Sequence, residues 1–366
     1  MTEKKKIAIL SMQRVVNFGL VLQAWSLRKM VQDMTGASVT FLDIEETDVL
    51  PSKKSVRESS DYDTPAACPP GVGQRAKRWM IARLSAWNKH LIRGFMKKEL
   101  ALDTNAWDGQ YDCVIVGSDE VFNHRKGVCL QLHGGVKRAK RVISYAASCG
   151  SASAADIYPE DVEKVRAAMA RFSAVSVRDP ATRAYVSALR QGSIAHHLDP
   201  VLVGPLVQRE HRPVQIKNYL LVYAYGQRIR TAEEIHGIRS FAKKHGLKTV
   251  AMGGSQFWCD LYIPTTPLRL MDYFYYADYV VTDTFHGAVF SVINQKKFAV
   301  LPRKSNGNKI AGLLQDLGLE NRRVAVLADL EKILTDEIDY ASVDSVLARG
   351  KEEAEAYLKE QLEGCV

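Results

Sequence analysis

Long apolar runs are missing from this chain. No stretch approaches the ~20 residues that span a bilayer, so a membrane-spanning helix is excluded. The opening MTEKKKIAILSMQ has a basic run and then only a short apolar stretch. A secretory signal needs a longer apolar region and a small-residue cleavage site. The segment reads instead as a first strand, and the chain as a cytoplasmic protein. Cysteine is sparse: Cys68, Cys113, Cys129, Cys149, Cys259 and Cys365 form no CxxC pair and match no zinc spacing. Cys113 and Cys149 lie in apolar or small-residue settings and read as reduced core thiols. Neither a GxGxxG nor a Walker loop occurs, which gives a dinucleotide site little support. No repeat period appears, so a solenoid is excluded. Acidic residues are in deficit, 41 against 50 Lys and Arg, for a net charge of +9. No nucleic-acid motif accompanies that charge, and nucleic acid is not an expected partner.

What is present is an ordinary globular composition, 46% hydrophobic and 25% charged over 366 residues. That length suits two domains. Short apolar strands alternate with helical stretches: KIAILSM, SVTFLDI, DCVIVG, RVISYAAS, SAVSVRD and IAHHLDP in the first half. YLLVYAYG, LKTVAMGG, DYVVTD and KKFAVLP repeat the pattern in the second. This alternation predicts βαβ units and an α/β fold of two doubly wound Rossmann-like domains facing a cleft. A polar linker around 205–217, with Pro205 and Pro213, sets the boundary: 1–205 and 206–366. Residues 51–75 are Pro- and Gly-rich and read as a loop or mobile segment. Arg75 to Lys98 form a basic helical stretch with Trp79, Trp87 and Phe95 interleaved. It reads as a solvated face or as a surface meeting an anionic membrane or substrate.

Domains of this kind bind ligands at the C-terminal ends of their strands. Five segments put chemistry there. In VVTDTFHGAVF, His286 falls in the first turn of a helix, where free N–H groups and the dipole attract an anion. It could bind phosphate or pass a proton. The alternative is that Asp283 or Thr284 caps the helix and His286 packs on the sheet. In AVSVRDP, Arg178 offers a carboxylate or phosphate its fork, or else pairs with Asp179 or Asp199. In VIVGSDEVFN, Ser118 and Asp119 can cap a helix or hold sugar hydroxyls, Asp119 can serve as a base, and Glu120 stands beside it. Asn17 and Gly19 lie between the first strand and its helix, where a glycine suits a close phosphate or sugar. Arg303, Lys304 and Lys309 form a basic loop able to close on an anionic donor, or a solvated turn.

NFGLVLQAWSL, YDCVIVGSDEVFN, ISYAASCG, VSVRDPATR, LDPVL and DYVVTDTFHGAVFSVINQKKF occur in the order seen in the polysaccharide pyruvyl transferase family. NKIAGLLQDLGLENR resembles its C-terminal segment. The resemblance implies a fold like the two-domain, GT-B-like glycosyltransferases. It implies phosphoenolpyruvate as co-substrate, no cofactor, and a pyruvate ketal on a surface polysaccharide or its lipid-linked precursor. Arg178 and His286 match its donor-binding positions. Glu120 and Phe122 stand where the family commonly has Gln and Trp, and Thr284 where some members carry Arg. Lys309, Arg303 and Arg228 are the cations expected to substitute for that Arg. The catalytic expectation is His286 and Asp119; the acceptor side is Asn17, Gly19, Ser118 and Glu120. No metal is expected. The resemblance makes phosphoenolpyruvate and a glycan or lipid-linked acceptor the expected partners, and the basic stretch Arg75 to Lys98 adds peripheral contact with an anionic membrane. A nucleotide-sugar glycosyltransferase and a non-catalytic glycan-binding protein are the alternatives.

Overall fold

The computed structural model describes residues 5–45, 48–53, 72–102, 109–226 and 228–363. Most of the loop expected over 51–75 lies outside these, as do Cys68 and Cys365. The first half holds β1 (Lys6–Leu10), β2 (Ser38–Leu42), β3 (Val49–Leu50), β4 (Tyr111–Asp119), β5 (Val128–Cys129), β6 (Ala139–Ala147), β7 (Phe172–Ala174), β8 (Ser176–Val177) and β9 (Ala195–His196). The second holds β10 (Tyr219–Ala224), β11 (Lys248–Gly253), β12 (Leu261–Tyr262), β13 (Tyr279–Thr282) and β14 (Lys297–Val300). Around them run α1 (Phe18–Thr35), α2 (Val72–Glu99), α3 (Val162–Met169), α4 (Pro180–Ser187), α5 (Pro200–Val203) and α6 (Ala232–Lys244). α7 (Pro267–Tyr275), α8 (Phe285–Ile293), α9 (Gly307–Asp316), α10 (Leu330–Thr335) and α11 (Tyr340–Glu363) follow.

Two parallel sheets result, ordered β2-β1-β4-β6-β8-β9, with β7 also on β6, and β12-β11-β10-β13-β14. β4 shows why. Successive side chains alternate between faces, and its apolar run has no polar face to give to water. Cys113 and Ile115 enter one core cluster while Val114 and Val116 enter another. Cys113 and Cys149 are buried free thiols, as their settings predict.

The expected strand SAVSVRD is split into β7 and β8. The reason is local. The Ser144 hydroxyl donates to Ser176 O at 3.0 Å and accepts from Ser176 N at 2.9 Å, while Ser176 Oγ accepts from Ala146 N at 3.0 Å. Side-chain hydroxyls thus replace the backbone ladder. α11 returns to pack on α1 and α5, and its Tyr357 hydroxyl donates to Ser144 O at 2.8 Å. The chain's last helix therefore ties to the first sheet. No helix among the described residues is long and apolar enough to cross a membrane.

Candidate active site

The C-terminal ends of β4, β10 and β11 meet the starts of α1 and α8 and one side of α2. They enclose a cleft of about 210 Å³. Asn17, Asp119, Glu120, His286 and Lys309 line it together.

Asp119 ends β4 with φ 69, a left-handed conformation that costs a non-glycine residue energy and aims its carboxylate at a set partner. That partner is Arg178, whose Nη2 lies 3.0 Å from Asp119 Oδ1. Arg178 Nη1 lies 2.7 Å from Asp199 Oδ2, and its guanidinium sits 4.1 Å from the centre of the Phe285 ring. Asp199 Oδ2 is also 3.7 Å from His286 Nε2, an electrostatic contact too long for a hydrogen bond. Burial alone would raise the Asp119 carboxyl; Arg178, His286 and Lys309 outweigh it and hold the group well below the usual carboxylate range. Asp199 behaves alike, with burial outweighed by His286 and Arg178. Both stay ionised.

A second charge pair crosses the cleft. Lys309, from α9, meets Glu120, which also binds Arg125 at 2.9 Å. Burial pushes the Glu120 carboxyl up, but Lys309 and Arg125 keep it lowered. Burial pushes the Lys309 ammonium down, but Glu120 and Asp119 keep it raised.

His286 is positioned from two sides. Thr284 caps α8, its hydroxyl accepting from Gly287 N at 2.9 Å. On the other side a Cβ at Gly19 would lie 2.3 Å from His286 Nδ1. The expectation that Gly19 admits a phosphate or sugar is thus corrected: its missing side chain is filled by the imidazole. Gly287 likewise admits the Thr282 side chain, whose Oγ1 would stand 1.9 Å from a Cβ there.

The sequence model of the family described as polysaccharide pyruvyl transferase matches residues 17–305. The chain belongs to that family. No curated protein sequence matches it. Among solved structures, Arabidopsis thaliana UGT89C1 complexed with UDP-L-rhamnose is 14% identical, with a TM-score of 0.53 and full coverage of both chains. A UDP-N-acetylglucosamine 2-epimerase is 12% identical, with a TM-score of 0.52, covering 99% of this chain and 96% of its own. These likenesses concern the fold, which is the two-domain GT-B-like arrangement of paired Rossmann-like sheets.

Several residues expected in the site of this family member lie elsewhere. Arg178 is expected to be open to an anion; instead it is buried behind the cleft, its two terminal nitrogens taken by Asp119 and Asp199. Ser118 is fully buried, donating to Ala146 O at 3.2 Å. Arg228 and Arg303 do not line the cleft. Each places its Nε 3.5 Å from Asp283 Oδ2, and Arg303 also meets Glu234. Burial raises the Asp283 carboxyl to about 6 despite both arginines. Asn17 lines the cleft, but its Oδ1 caps α1 through Gly19 N at 2.8 Å. Sequence reasoning missed Arg125, Phe285 and Tyr225, all on the cleft. Arg125 had a signal, six positions after Asp119 in the same strand-end loop. Tyr225 had one too, directly after β10. Among the described residues no group of His, Cys, Asp or Glu side chains is arranged to hold a metal ion.

Proposed function

We propose that this protein transfers the pyruvyl group of phosphoenolpyruvate to a sugar of a surface polysaccharide or its precursor, forming a pyruvate ketal and releasing phosphate. The observation that carries the reading is that His286, from a segment the family match covers, stands on the cleft that also holds Lys309. Lys309 and the amide end of α8 take the donor's anionic groups. His286, protonated, gives its proton to the methylene carbon as one sugar hydroxyl adds at C2. A second hydroxyl then bonds to C2, and phosphate leaves with the electron pair of its C–O bond. The two hydroxyl protons restore His286 and pass to the departing phosphate or solvent.

Asp119 is a poor base, because Arg178 and Lys309 stabilise its anion so strongly. It serves better as a hydrogen-bond acceptor that orients the acceptor sugar, with Glu120 and Asn17 beside it. Arg178 acts through Asp119 and Asp199, holding both carboxylates in place. Arg228 and Arg303 set the Asp283 loop rather than gripping the donor. No step needs a metal, and turnover is expected to survive a chelator.

The test is phosphate release from phosphoenolpyruvate with a panel of free and lipid-linked saccharides, with the ketal identified in the product. Release of nucleotide from a nucleotide sugar, with no phosphate from phosphoenolpyruvate, would make the protein a glycosyltransferase. Saccharide binding without either reaction would make it a glycan-binding protein.

A further inference from the structure

α2 carries eight Lys or Arg residues and a single acid, Glu99, at its last position. Its two long faces differ sharply. Ile81, Asn88, Ile92 and Phe95 are buried on one. Asn88 Oδ1 accepts from Thr265 N at 2.9 Å, and Lys77 donates to Cys259 O at 2.6 Å, so this face is locked to the second half of the chain. The helical period places Trp79, Arg83, Trp87, His90, Arg93 and Lys97 together on the opposite face. All six are exposed. Trp79 is 64% and Trp87 53% exposed, the highest and third-highest values for large hydrophobics among the described residues. Arg83 lies 4.9 Å from the Trp79 ring centre, and His90 stacks on Trp87 at 5.1 Å.

A solvated face does not need two open indoles, whose apolar area is costly to leave in water. Indoles interleaved with cations suit the boundary between lipid headgroups and acyl chains. The lack of acids until Glu99 makes the face complementary to negative lipid. We infer that the outer face of α2 docks the protein on an anionic phospholipid bilayer. Ser85, Asn88, Lys89 and Ile92 of the same helix line the cleft. Docking therefore sets the cleft beside the membrane surface, where a lipid-linked saccharide presents its sugar. That consequence for the acceptor rests on the proposed pyruvyl transfer; the docking itself does not.

Vesicle flotation tests the docking. The full chain is mixed with phosphatidylcholine vesicles with and without phosphatidylglycerol, at low and high salt. Binding is expected only with phosphatidylglycerol, to weaken with salt, and to shift tryptophan emission to the blue. Arg83→Glu with Arg93→Glu, and separately Trp79→Ser with Trp87→Ser, should each cut binding by ~10-fold or more. Circular dichroism checks that both remain folded, and both should keep wild-type phosphate release with a soluble saccharide. No binding to anionic vesicles at low salt overturns the proposal. So does binding that both double variants retain, or capture by a DNA duplex with no vesicle binding. Because flotation needs neither donor nor acceptor, failure of the pyruvyl transfer reading would leave its outcome unchanged.

Discussion

His286 and Gly19 form a unit at the scale of single residues, since the imidazole occupies the space a side chain at position 19 would need. Gly19→Ala is expected to push the imidazole off its place without disturbing α1, which tolerates alanine well. A displacement of about 1 Å costs roughly 100-fold in rate. Turnover measured beside a folding check tests this, and an unchanged rate would show that the ring has room to spare. His286→Asn keeps a hydrogen-bonding group but cannot titrate. We expect donor binding to persist by calorimetry while turnover falls ~100-fold or more. Joint loss of binding and turnover would reduce His286 to a binding residue. Full activity would make it structural.

At the scale of an element, α8 is the part on which the site depends. β13 ends at Thr282, and Thr284 starts the helix by capping Gly287 N. The same Thr284 hydroxyl lies 3.1 Å from Thr282 Oγ1, so cap and strand end are joined. Thr284→Ala removes the cap from a buried helix end and is expected to destabilise the protein by ~1 kcal/mol. Denaturant titration reads this directly; a midpoint within error of the wild type would mean that water or a relaxed backbone replaces the cap. The two serine hydroxyls that divide β7 from β8 make the same point for strands. Polar side chains inside an apolar run redirected backbone hydrogen bonds that a periodic reading assigns to the ladder.

At the scale of the whole molecule, charge pairs join the halves. Lys309 on α9 and Glu120 after β4 meet across the cleft. Removing Lys309 leaves the buried Glu120 with Arg125 alone, and removing Glu120 leaves the buried Lys309 with Asp119 as its remaining carboxylate, so the losses from Lys309→Met and Glu120→Gln should sum to more than the double variant costs. A coupling of roughly 1–3 kcal/mol is expected from a double-mutant cycle of unfolding free energies. Additive losses would show that the pair does not hold the halves together.

The pH dependence of stability also belongs to this scale. Asp283 has its carboxyl raised by burial from 3.8 to about 6. A raised folded pKa contributes stability that is fully present below the unfolded value and lost as pH rises through the folded one. The window is therefore about pH 4 to 6. Asp119, Asp199 and Glu120 have lowered values and work the other way, losing their contribution only as acid protonates them. Asp283→Asn cannot ionise, so its melting temperature relative to wild type should rise as pH is taken from about 4 to 7. A difference that stays level across that range would mean Asp283 titrates as an exposed carboxylate does.

The sequence by itself determined the two parallel sheets, because uninterrupted apolar strands between amphipathic helices can be buried only on both faces. It determined the family through ordered strand-end segments, and it located His286 at the start of a helix. Only the tertiary structure decided which charges are satisfied. It buried Arg178 between Asp119 and Asp199, turned Arg228 and Arg303 to Asp283, and left Lys309 as the expected cation that reaches the cleft. Periodicity along a chain reports the face a residue takes on its own element. Which carboxylate meets which cation depends on the distance between residues far apart in sequence, and on how much water burial removes from between them.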